Sequence, residues 1–431
     1  MSEAGPRLQA VVIGAGMRGS AVYGGYALRH PEQLGIVAVA EPDEGRREAM
    51  ARAHGIAPDA AFADWRELFR GERRAPAAIV ATSDTEHVAP ALAAIEAGHH
   101  LLLEKPIAPE PADCVRVVAA AERAGRILQI GHVLRYTPFY EKVHALVSEG
   151  AIGRLLHVEL KEHVASWHMA HSYVRGKFRN RELAAPLILA KSCHDLDLLV
   201  WLVGELPARV ASFGGLEEYR AERAPRGAPP RCTDGCPVQA DCPHDAERFY
   251  LGPGDALARH FPWSDVSPDP GRAARRRALE TGRYGRCVYH CDNDQPDHQA
   301  VLVEFPGGVT ASFTVQGVAA QEERTLRLTG SAGELRGALH QGVIELARPG
   351  SVEVERFEFE GSMVGHYGGD DRLIDHFVDV AARDAVADVR ATGRSALAGH
   401  LLGFAAEEAR LDGEVVELDD WRAAIEAGGE A

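Results

Sequence analysis

Short apolar runs alternate with amphipathic stretches from Leu8 to about Gly150, and this alternation is the strongest constraint on the fold. The runs are LQAVVIG, GIVAVAE, AAIVATS, HHLLLEKP and RILQIGH. A helical segment begins near Met17, and another, HVAPALAAIEAG, ends at Gly98, a residue type that suits a helix C-cap. Buried strands that alternate with helices indicate a parallel sheet with crossover helices. The pattern predicts a doubly wound α/β domain at the start of the chain.

A glycine motif follows the first apolar run and opens the first helical segment. Gly14 allows a tight turn, Gly16 lets the backbone approach a pyrophosphate, and Gly19 allows close packing of helix and strand. Glu41 ends the second run, where a carboxylate can accept hydrogen bonds from an adenosine ribose. We therefore predict dinucleotide binding. The predicted cofactor-binding residues in this part of the chain are Gly14, Gly16, Met17, Arg18, Gly19 and Glu41.

The choice of dinucleotide depends on charge near the ribose. Arg46 and Arg47 follow Glu41 closely, and either guanidinium can pair with a 2′-phosphate or lie on a solvated helix face. A carboxylate that faces the 2′ position repels a phosphate there. We expect NAD as the cofactor, with NADP as the alternative.

The charge balance excludes some classes of partner. Lys+Arg 47 against Asp+Glu 63 gives a net charge of −16, which repels nucleic acids and anionic membrane surfaces. The N-terminus has no basic segment followed by an apolar one, and no stretch approaches the length of a membrane-spanning helix. We expect a cytoplasmic protein whose seven cysteines are reduced thiols or metal ligands.

After Ile152 the pattern changes to closely spaced runs with period-two alternation, which indicates an antiparallel sheet. Two stretches, Leu196 to Gly204 and Asp370 to Arg410, have helical character. The second part of the chain is therefore predicted to be an α+β domain on an open, mainly antiparallel sheet. We place the first domain at residues 1–135 and the second at 136–431, with an insertion at about 214–296.

The insertion has little apolar periodicity and contains five of the seven cysteines, so another source of order is expected. We predict a structural zinc held by Cys232, Cys236, Cys242 and Cys291. Cys287, His244 and His290 are alternative ligands, and free thiols, an iron–sulfur cluster or disulfides stay open. The insertion also contains a set of arginines that either form a solvated face or bind an anionic group or partner subunit. They are Arg272, Arg275, Arg276, Arg277, Arg283 and Arg286.

The LEKPI segment lies just beyond a predicted strand end, where open α/β sheets bind ligands. Lys105 in this segment is either a proton donor and acceptor or a surface lysine before a proline. The segment is one of four motifs that the chain shares with a known family. The four are Gly14 to Gly19, Ala81-Thr82-Ser83 with His87, Glu104-Lys105-Pro106, and Ser192 to Asp197 before Trp201 to Gly204.

Together these motifs resemble the glucose-fructose oxidoreductase, inositol dehydrogenase and rhizopine-catabolism family, Gfo/Idh/MocA. The resemblance implies an N-terminal Rossmann domain, a C-terminal domain on an open sheet, a homo-oligomer, and oxidation or reduction of sugar or polyol hydroxyls with NAD(H) or NADP(H). It also implies that Ser83, His87, Glu104 and Lys105 lie beside the cofactor.

Two residues match the family's proton-handling pair. Lys105 corresponds to the lysine and His194 to the histidine that act on the substrate hydroxyl. Family dehydrogenases commonly have an Asp four residues before that histidine, and this chain has Ala190, followed by Lys191. For Asp195 and Asp197 the resemblance implies a structural role at a helix start.

In family members the region after the first strand of the second domain reaches over the nicotinamide. We therefore predict substrate contacts from Trp167, His168, His171, Tyr173 and Arg175. An oligomer contact is the alternative, and a metal site at His168 and His171 lacks a clear third ligand. Three functions stay open: a sugar or polyol dehydrogenase, a redox glycosidase that retains NAD, and a non-catalytic regulatory protein that binds NAD.

Overall fold

The fold is built on two sheets. A computed structural model of the chain describes residues 7–360 and 365–429. The first sheet has six parallel strands in the order β3-β2-β1-β4-β5-β6, which is the predicted doubly wound arrangement. Its strands are β1 Leu8–Ile13, β2 Leu34–Ala40, β3 Ala61–Phe62, β4 Ala77–Val80, β5 His100–Leu103 and β6 Leu128–Ile130.

Helices connect these strands and cover the sheet, so that its central strands are buried on both faces. The segment after β1 is wound as a π-helix, Met17–Gly24, which continues directly into the first α-helix. The helices are α1 Gly25–Arg29, α2 Glu44–His54, α3 Trp65–Leu68, α4 Val88–Glu96, α5 Pro111–Ala124 and α6 Pro138–Ser148.

The second sheet has nine strands in the order β14-β13-β12-β11-β7-β10-β9-β8-β15. Every neighbouring pair is antiparallel except β7 with β10, so the prediction of a mainly antiparallel sheet is confirmed. The strands are β7 Leu155–Ala165, β8 Arg209–Gly215, β9 His298–Glu304, β10 Thr310–Ala319, β11 Glu323–Gly330, β12 Glu334–Ala338, β13 Val343–Ala347, β14 Val354–Glu358 and β15 Val416–Glu417.

The long helical stretch predicted for Asp370 to Arg410 is two helices rather than one. Asp384 has a φ of +52°, a conformation that ends the first of them. The second begins at Gly393, where a Cβ atom would lie 2.6 Å from the Leu128 side chain. The remaining helices are α7 Ser166–His168, α8 Leu187–Ala190, α9 Cys193–Val203, α10 Ala246–Leu251, α11 Arg272–Thr281, α12 Gly369–Ala382, α13 Gly393–Asp412 and α14 Leu418–Gly429.

The C-terminal helices return to the first sheet. α13 and α14 pack on α5, and Thr392 forms a bridge with Gln129 of β6. Arg7, just before the central strand β1, forms an ion pair with Asp379 of α12. Helices α12, α13 and α14 therefore contact the first domain, and the boundary after residue 135 stays a prediction. None of the helices in residues 7–360 and 365–429 has the length and apolar character that a membrane crossing needs.

Two buried arginines order the insertion by binding backbone carbonyls. Arg175 donates to the carbonyl oxygens of Arg286 and His244, each at 2.7 Å. Arg275 donates to the carbonyl of Pro253 at 2.8 Å and to two further carbonyls. A small apolar cluster completes this region, formed by Cys232, Ala246, Tyr250, Leu251, Leu279 and Tyr284. The two guanidinium groups and this apolar cluster thus stabilise the insertion, whose sequence has little apolar periodicity.

We expect Arg175→Met to loosen the insertion while the two sheets persist. The methionine fills part of the space but leaves two buried carbonyls without donors, at a cost of about 1–3 kcal/mol for each unsatisfied group. Limited proteolysis should then cut within residues 214–296 faster than in the parent chain. Arg223→Met, at an exposed position of the same segment, is the matched control, and equal cleavage rates in both variants would contradict the assignment.

Candidate active site

The three glycines of the motif are required for different reasons. Gly14 has a φ of +91°, and a Cβ there would lie 2.6 Å from the carbonyl oxygen of Ala81. A Cβ on Gly19 would lie 1.9 Å from the carbonyl oxygen of Gly14. At Gly16 an added Cβ meets no atom within 4 Å, so the backbone there is open. This opening, at the carboxyl end of β1 and the start of a helix, fits the pyrophosphate of a dinucleotide.

Glu41 is held by groups of its own domain. Its carboxylate accepts hydrogen bonds from the backbone N–H of Ala15 at 2.8 Å and of Asp43 at 3.0 Å. The Arg46 guanidinium donates to the same carboxylate at 2.7 Å, while its side chain stays 55% exposed. Arg47 donates to the Glu41 carbonyl oxygen at 2.7 Å. Carboxylate and guanidinium thus lie together at the expected ribose position, and the preference for NAD stays a prediction.

A buried network surrounds Glu104 at the end of β5. Its carboxylate accepts hydrogen bonds from the Tyr23 hydroxyl at 2.6 Å and from Arg18, which also donates to Asp370 at 2.9 Å. Burial opposes ionisation, but the Arg18 guanidinium and the Tyr23 hydroxyl hold the pKa of Glu104 below its usual value. The network joins the nucleotide-binding helix to α12. Arg18 and Glu104 contact each other, so in the structure both support the segment that contains Lys105.

Three other residues predicted to contact the cofactor lie at the same edge of the sheet. His87 is buried, and its Nδ1 lies 2.7 Å from the carbonyl oxygen of Pro106, so the ring supports the turn after Lys105. Met17 is exposed at the start of the π-helix. Ser83 follows β4 and lines a cavity of about 230 Å³.

Lys105 and His194 are brought together where the first sheet meets α9. The Lys105 ammonium donates to the carbonyl oxygen of Ala190 at 2.8 Å, and His194 lies in the first turn of α9. Burial, followed by the charge of Lys105, holds the pKa of His194 well below its usual value. His194 is therefore a neutral imidazole beside a half-buried ammonium. The carbonyl at residue 190, rather than a carboxylate, is what Lys105 contacts.

Buried ion pairs that were not predicted from the sequence lie next to this pair. Glu162 on β7 contacts Lys191 at 3.2 Å and also accepts from Arg324. Arg324 in turn donates to Asp195 at 3.0 Å. Burial and the neighbouring Glu162 raise the pKa of Asp195 well above its usual value. On the same helix Asp197 accepts two hydrogen bonds from Arg135, both of 2.6 Å.

The five residues predicted to contact substrate lie in two places. Trp167 stacks on His168, which contacts Glu322 at 2.7 Å, and burial together with Glu162 raises the pKa of Tyr173 well above its usual value. His168 and Tyr173 thus lie near Glu322 and Glu162, and Trp167 and His168 also pack against Phe261 of the insertion. The other two residues contact the insertion as well. His171 contacts the Tyr250 hydroxyl at 2.9 Å and stacks on Tyr284, and Arg175 is buried among backbone carbonyls.

The cavity beside Ser83 has a mixed polar lining. It is lined by Ser83, Asp84, Thr85, Glu86, Lys177, Phe178, Leu183 and Arg283. Asp84 is buried, and its Oδ2 atom has no hydrogen-bond partner. Arg283 is the member of the predicted arginine set that reaches this cavity, while Arg275 and Arg286 bind groups of the insertion itself.

The cysteines of the insertion do not support the zinc prediction. Cys232, Cys236, Cys242 and Cys287 line one small cavity, whereas Cys291 donates to the carbonyl oxygen of Cys287. Burial raises the pKa of Cys291 to about 11. All seven cysteines are unpaired, and residues 7–360 and 365–429 contain no group of three or more His, Cys, Asp or Glu that could hold a metal ion. Buried guanidinium groups contribute to the order of this segment.

Two curated relatives are similar in sequence to part of this chain. Inositol 2-dehydrogenase 1 of Saccharopolyspora erythraea is 33% identical over 199 residues, which are 46% of this chain and 54% of that protein. The 2,7-anhydro-N-acetylneuraminate hydratase of Escherichia coli is 31% identical over 137 residues, 32% of this chain and 36% of that protein. The chain spans about half the length of the curated relatives that it matches first.

A solved structure shows the same fold over nearly the whole chain. Levoglucosan dehydrogenase, in complex with NADH and levoglucosan, has a TM-score of 0.71 at 17% identity and covers 96% of this chain and 99% of its own. Two family models also match. The NAD-binding Rossmann fold of an oxidoreductase family matches residues 8–132, and the C-terminal alpha/beta domain of the same family matches residues 144–418. With both halves matched in order, the chain belongs to the Gfo/Idh/MocA oxidoreductase family.

Proposed function

We propose that the protein is an NAD-dependent dehydrogenase that transfers a hydride between the cofactor and a sugar or polyol hydroxyl. The observation that carries this proposal is that Lys105, at the carboxyl edge of the first sheet, donates to the Ala190 carbonyl and lies close enough to the neutral His194 to lower its pKa. The open backbone at Gly16 lies at the same edge. The names of the inositol and levoglucosan dehydrogenases support the substrate class.

The two side chains have complementary roles in this proposal. Lys105 uses one of its three donors on the Ala190 carbonyl, and the others are free to bind the substrate oxygen and stabilise negative charge that develops on it. His194 is neutral and accepts the hydroxyl proton. A bound nicotinamide supplies the hydride acceptor.

The lining of the neighbouring cavity supports a polyhydroxylated substrate. The Asp84 carboxylate and the Ser83 hydroxyl are groups that bind sugar hydroxyls, and the Phe178 ring offers an apolar face. Lys177 and Arg283 add two cations at the same cavity. The exact sugar or polyol depends on these few contacts.

A second candidate is a net reaction in which the cofactor is reduced and reoxidised within one cycle. The observation that favours it is Ala190, which leaves Lys105 without a carboxylate partner at that position. The similarity to a relative named as a hydratase supports it further. Absorbance at 340 nm separates the two, since a dehydrogenase accumulates NADH and the second candidate forms product without it.

We expect a homo-oligomer, and the open face of the second sheet is the surface that supports this. Phe213 on β8 and Leu302 on β9 are 67% and 57% exposed on that sheet. Large exposed apolar side chains in proximity are typical of protein interfaces. The prediction of a cytoplasmic location is retained as part of the same proposal.

Lys105→Ala and His194→Ala should each lower turnover by about 10²–10⁴-fold, the range for a general acid or base. Both side chains are proposed to lie at the nicotinamide rather than at the glycine motif that binds the pyrophosphate, so the Kd for NAD should change far less than turnover does. Steady-state rates at 340 nm with a panel of sugars and polyols, and calorimetry with NAD, provide the two readouts. Lys161→Ala, at a half-exposed position on β7, is the control. Parent-like turnover in Lys105→Ala would remove this residue from the mechanism.

NAD should bind more tightly than NADP, because the Glu41 carboxylate at the expected ribose position would repel a 2′-phosphate. Glu41→Gln removes that charge. It should therefore reduce the difference between the Kd values for NAD and NADP, as measured by titration calorimetry. Arg46→Met is the companion variant, since Arg46 donates to the same carboxylate. Tighter binding of NADP by the parent chain, lost in Arg46→Met, would assign the site to NADP instead.

A further inference from the structure

His132 is a buried imidazole that the proposed mechanism does not use. It follows β6 directly, its exposure is 0%, and neither of its ring nitrogens has a hydrogen-bond partner. Buried polar groups in proteins are nearly always hydrogen-bonded, so an exception of this kind calls for an explanation. The position of His132 beside the proposed proton acceptor suggests one.

The ring of His132 lies between His194 and Asp197. Its centroid is 5.6 Å from that of His194, with the two rings edge to face at 80°. The Nε2 atom of His132 is 3.7 Å from Oδ1 of Asp197. The Nδ1 atom of His194 is also buried and has no hydrogen-bond partner. His132 is therefore close both to the Asp197 carboxylate and to the His194 ring, and three ring nitrogens of the two histidines have no partner.

The groups around His132 are fixed. Arg135 holds the Asp197 carboxylate with two hydrogen bonds of 2.6 Å. His400, whose ring centroid is 5.2 Å from His132, accepts from the Ile107 N–H and contacts the Ala396 carbonyl, so neither nitrogen is free. Burial, and then the charges of Arg135 and Lys105, hold the pKa of His132 well below its usual value. His132 is thus neutral, with one N–H donor and one acceptor.

We propose that Asp197, His132 and His194 form an orienting chain for the proton acceptor. Asp197 accepts from the Nε2–H of His132, and the Nδ1 atom of His132 accepts from the Nδ1–H of His194. This assignment leaves the Nε2 atom of His194 unprotonated and able to accept the substrate proton. His132 is a positioning residue. Its role rests on the proposed function in one respect, which is that His194 accepts the substrate proton.

Two observations favour this chain over the nearest alternatives. Asp195 is the other carboxylate beside His194, but it is engaged with Arg324. Residue 190 is an alanine and can offer only its carbonyl, which Lys105 already occupies. The distance of 3.7 Å exceeds a normal hydrogen bond, and catalytic hydrogen bonds are commonly long before ligands bind.

The tautomer of His194 tests the chain without any substrate. With ¹⁵N-labelled histidine and NAD present, NMR of the parent chain should show His194 protonated at Nδ1. In His132→Phe, which removes the acceptor, the proton should move to Nε2, while His132→Gln, whose amide oxygen can accept, should retain the parent tautomer. His144→Phe replaces a histidine that stacks on Trp201 and is the matched control. A His194 protonated at Nε2 in the parent chain overturns the proposal even if His132→Phe fails to fold.

Turnover supplies a second, separate test. His132→Phe should lower kcat by about 10–100-fold, as loss of an outer-shell partner does, with KM and the Kd for NAD nearly unchanged. In a His194→Ala background the same substitution should cause no further loss, because the two residues act as one unit. Equal losses in both backgrounds would assign His132 a merely structural role and overturn the proposal. Absence of turnover in the parent chain would refute the proposed function and leave the tautomer measurement valid.

Discussion

The buried carboxylate of Glu104 is the interaction on which the rest of the site depends. It binds the Tyr23 hydroxyl and the Arg18 guanidinium, and Arg18 extends the contact to Asp370 of α12. Three segments that are distant in the sequence are thereby held at one point. A charge in this environment is stable only when it is paired and hydrogen-bonded. Lys105 is the next residue, so its position is set by a network that spans both parts of the chain.

The buried charges around His194 are paired in the same way. Glu162 is held by Lys191 and Arg324, and Asp197 by Arg135. These pairs fix β7, α9 and the segment after β6 around His194. Burial, and then the charge of Lys105, keep the imidazole among them neutral. A neutral acceptor beside an ammonium suits the proposed oxidation of a hydroxyl.

Features encoded by neighbouring residues could be predicted from the sequence. The buried strands, the glycine motif and the helix predicted for Leu196 to Gly204 depend on local spacing, and the structure contains all of them, with that helix beginning earlier, at Cys193. The pairs Arg135–Asp197 and Arg324–Asp195 join residues 62 and 129 positions apart, and no local pattern marks them. His171 and Arg175 lie in a π-helix, Met169–Arg175, whose residues are all buried, so no exposed face reveals which way each side chain points. The zinc prediction relied on the clustering of cysteines in the sequence, which does not specify how their side chains are arranged in space.

We propose that Lys105 and His194 meet at the place where the nicotinamide binds. A crystal structure of the NAD complex tests this most directly. We expect the nicotinamide ring in contact with Lys105 and His194 and the pyrophosphate against the open backbone at Gly16. A nicotinamide ring bound away from both side chains, with the pyrophosphate still at the glycine motif, would contradict it.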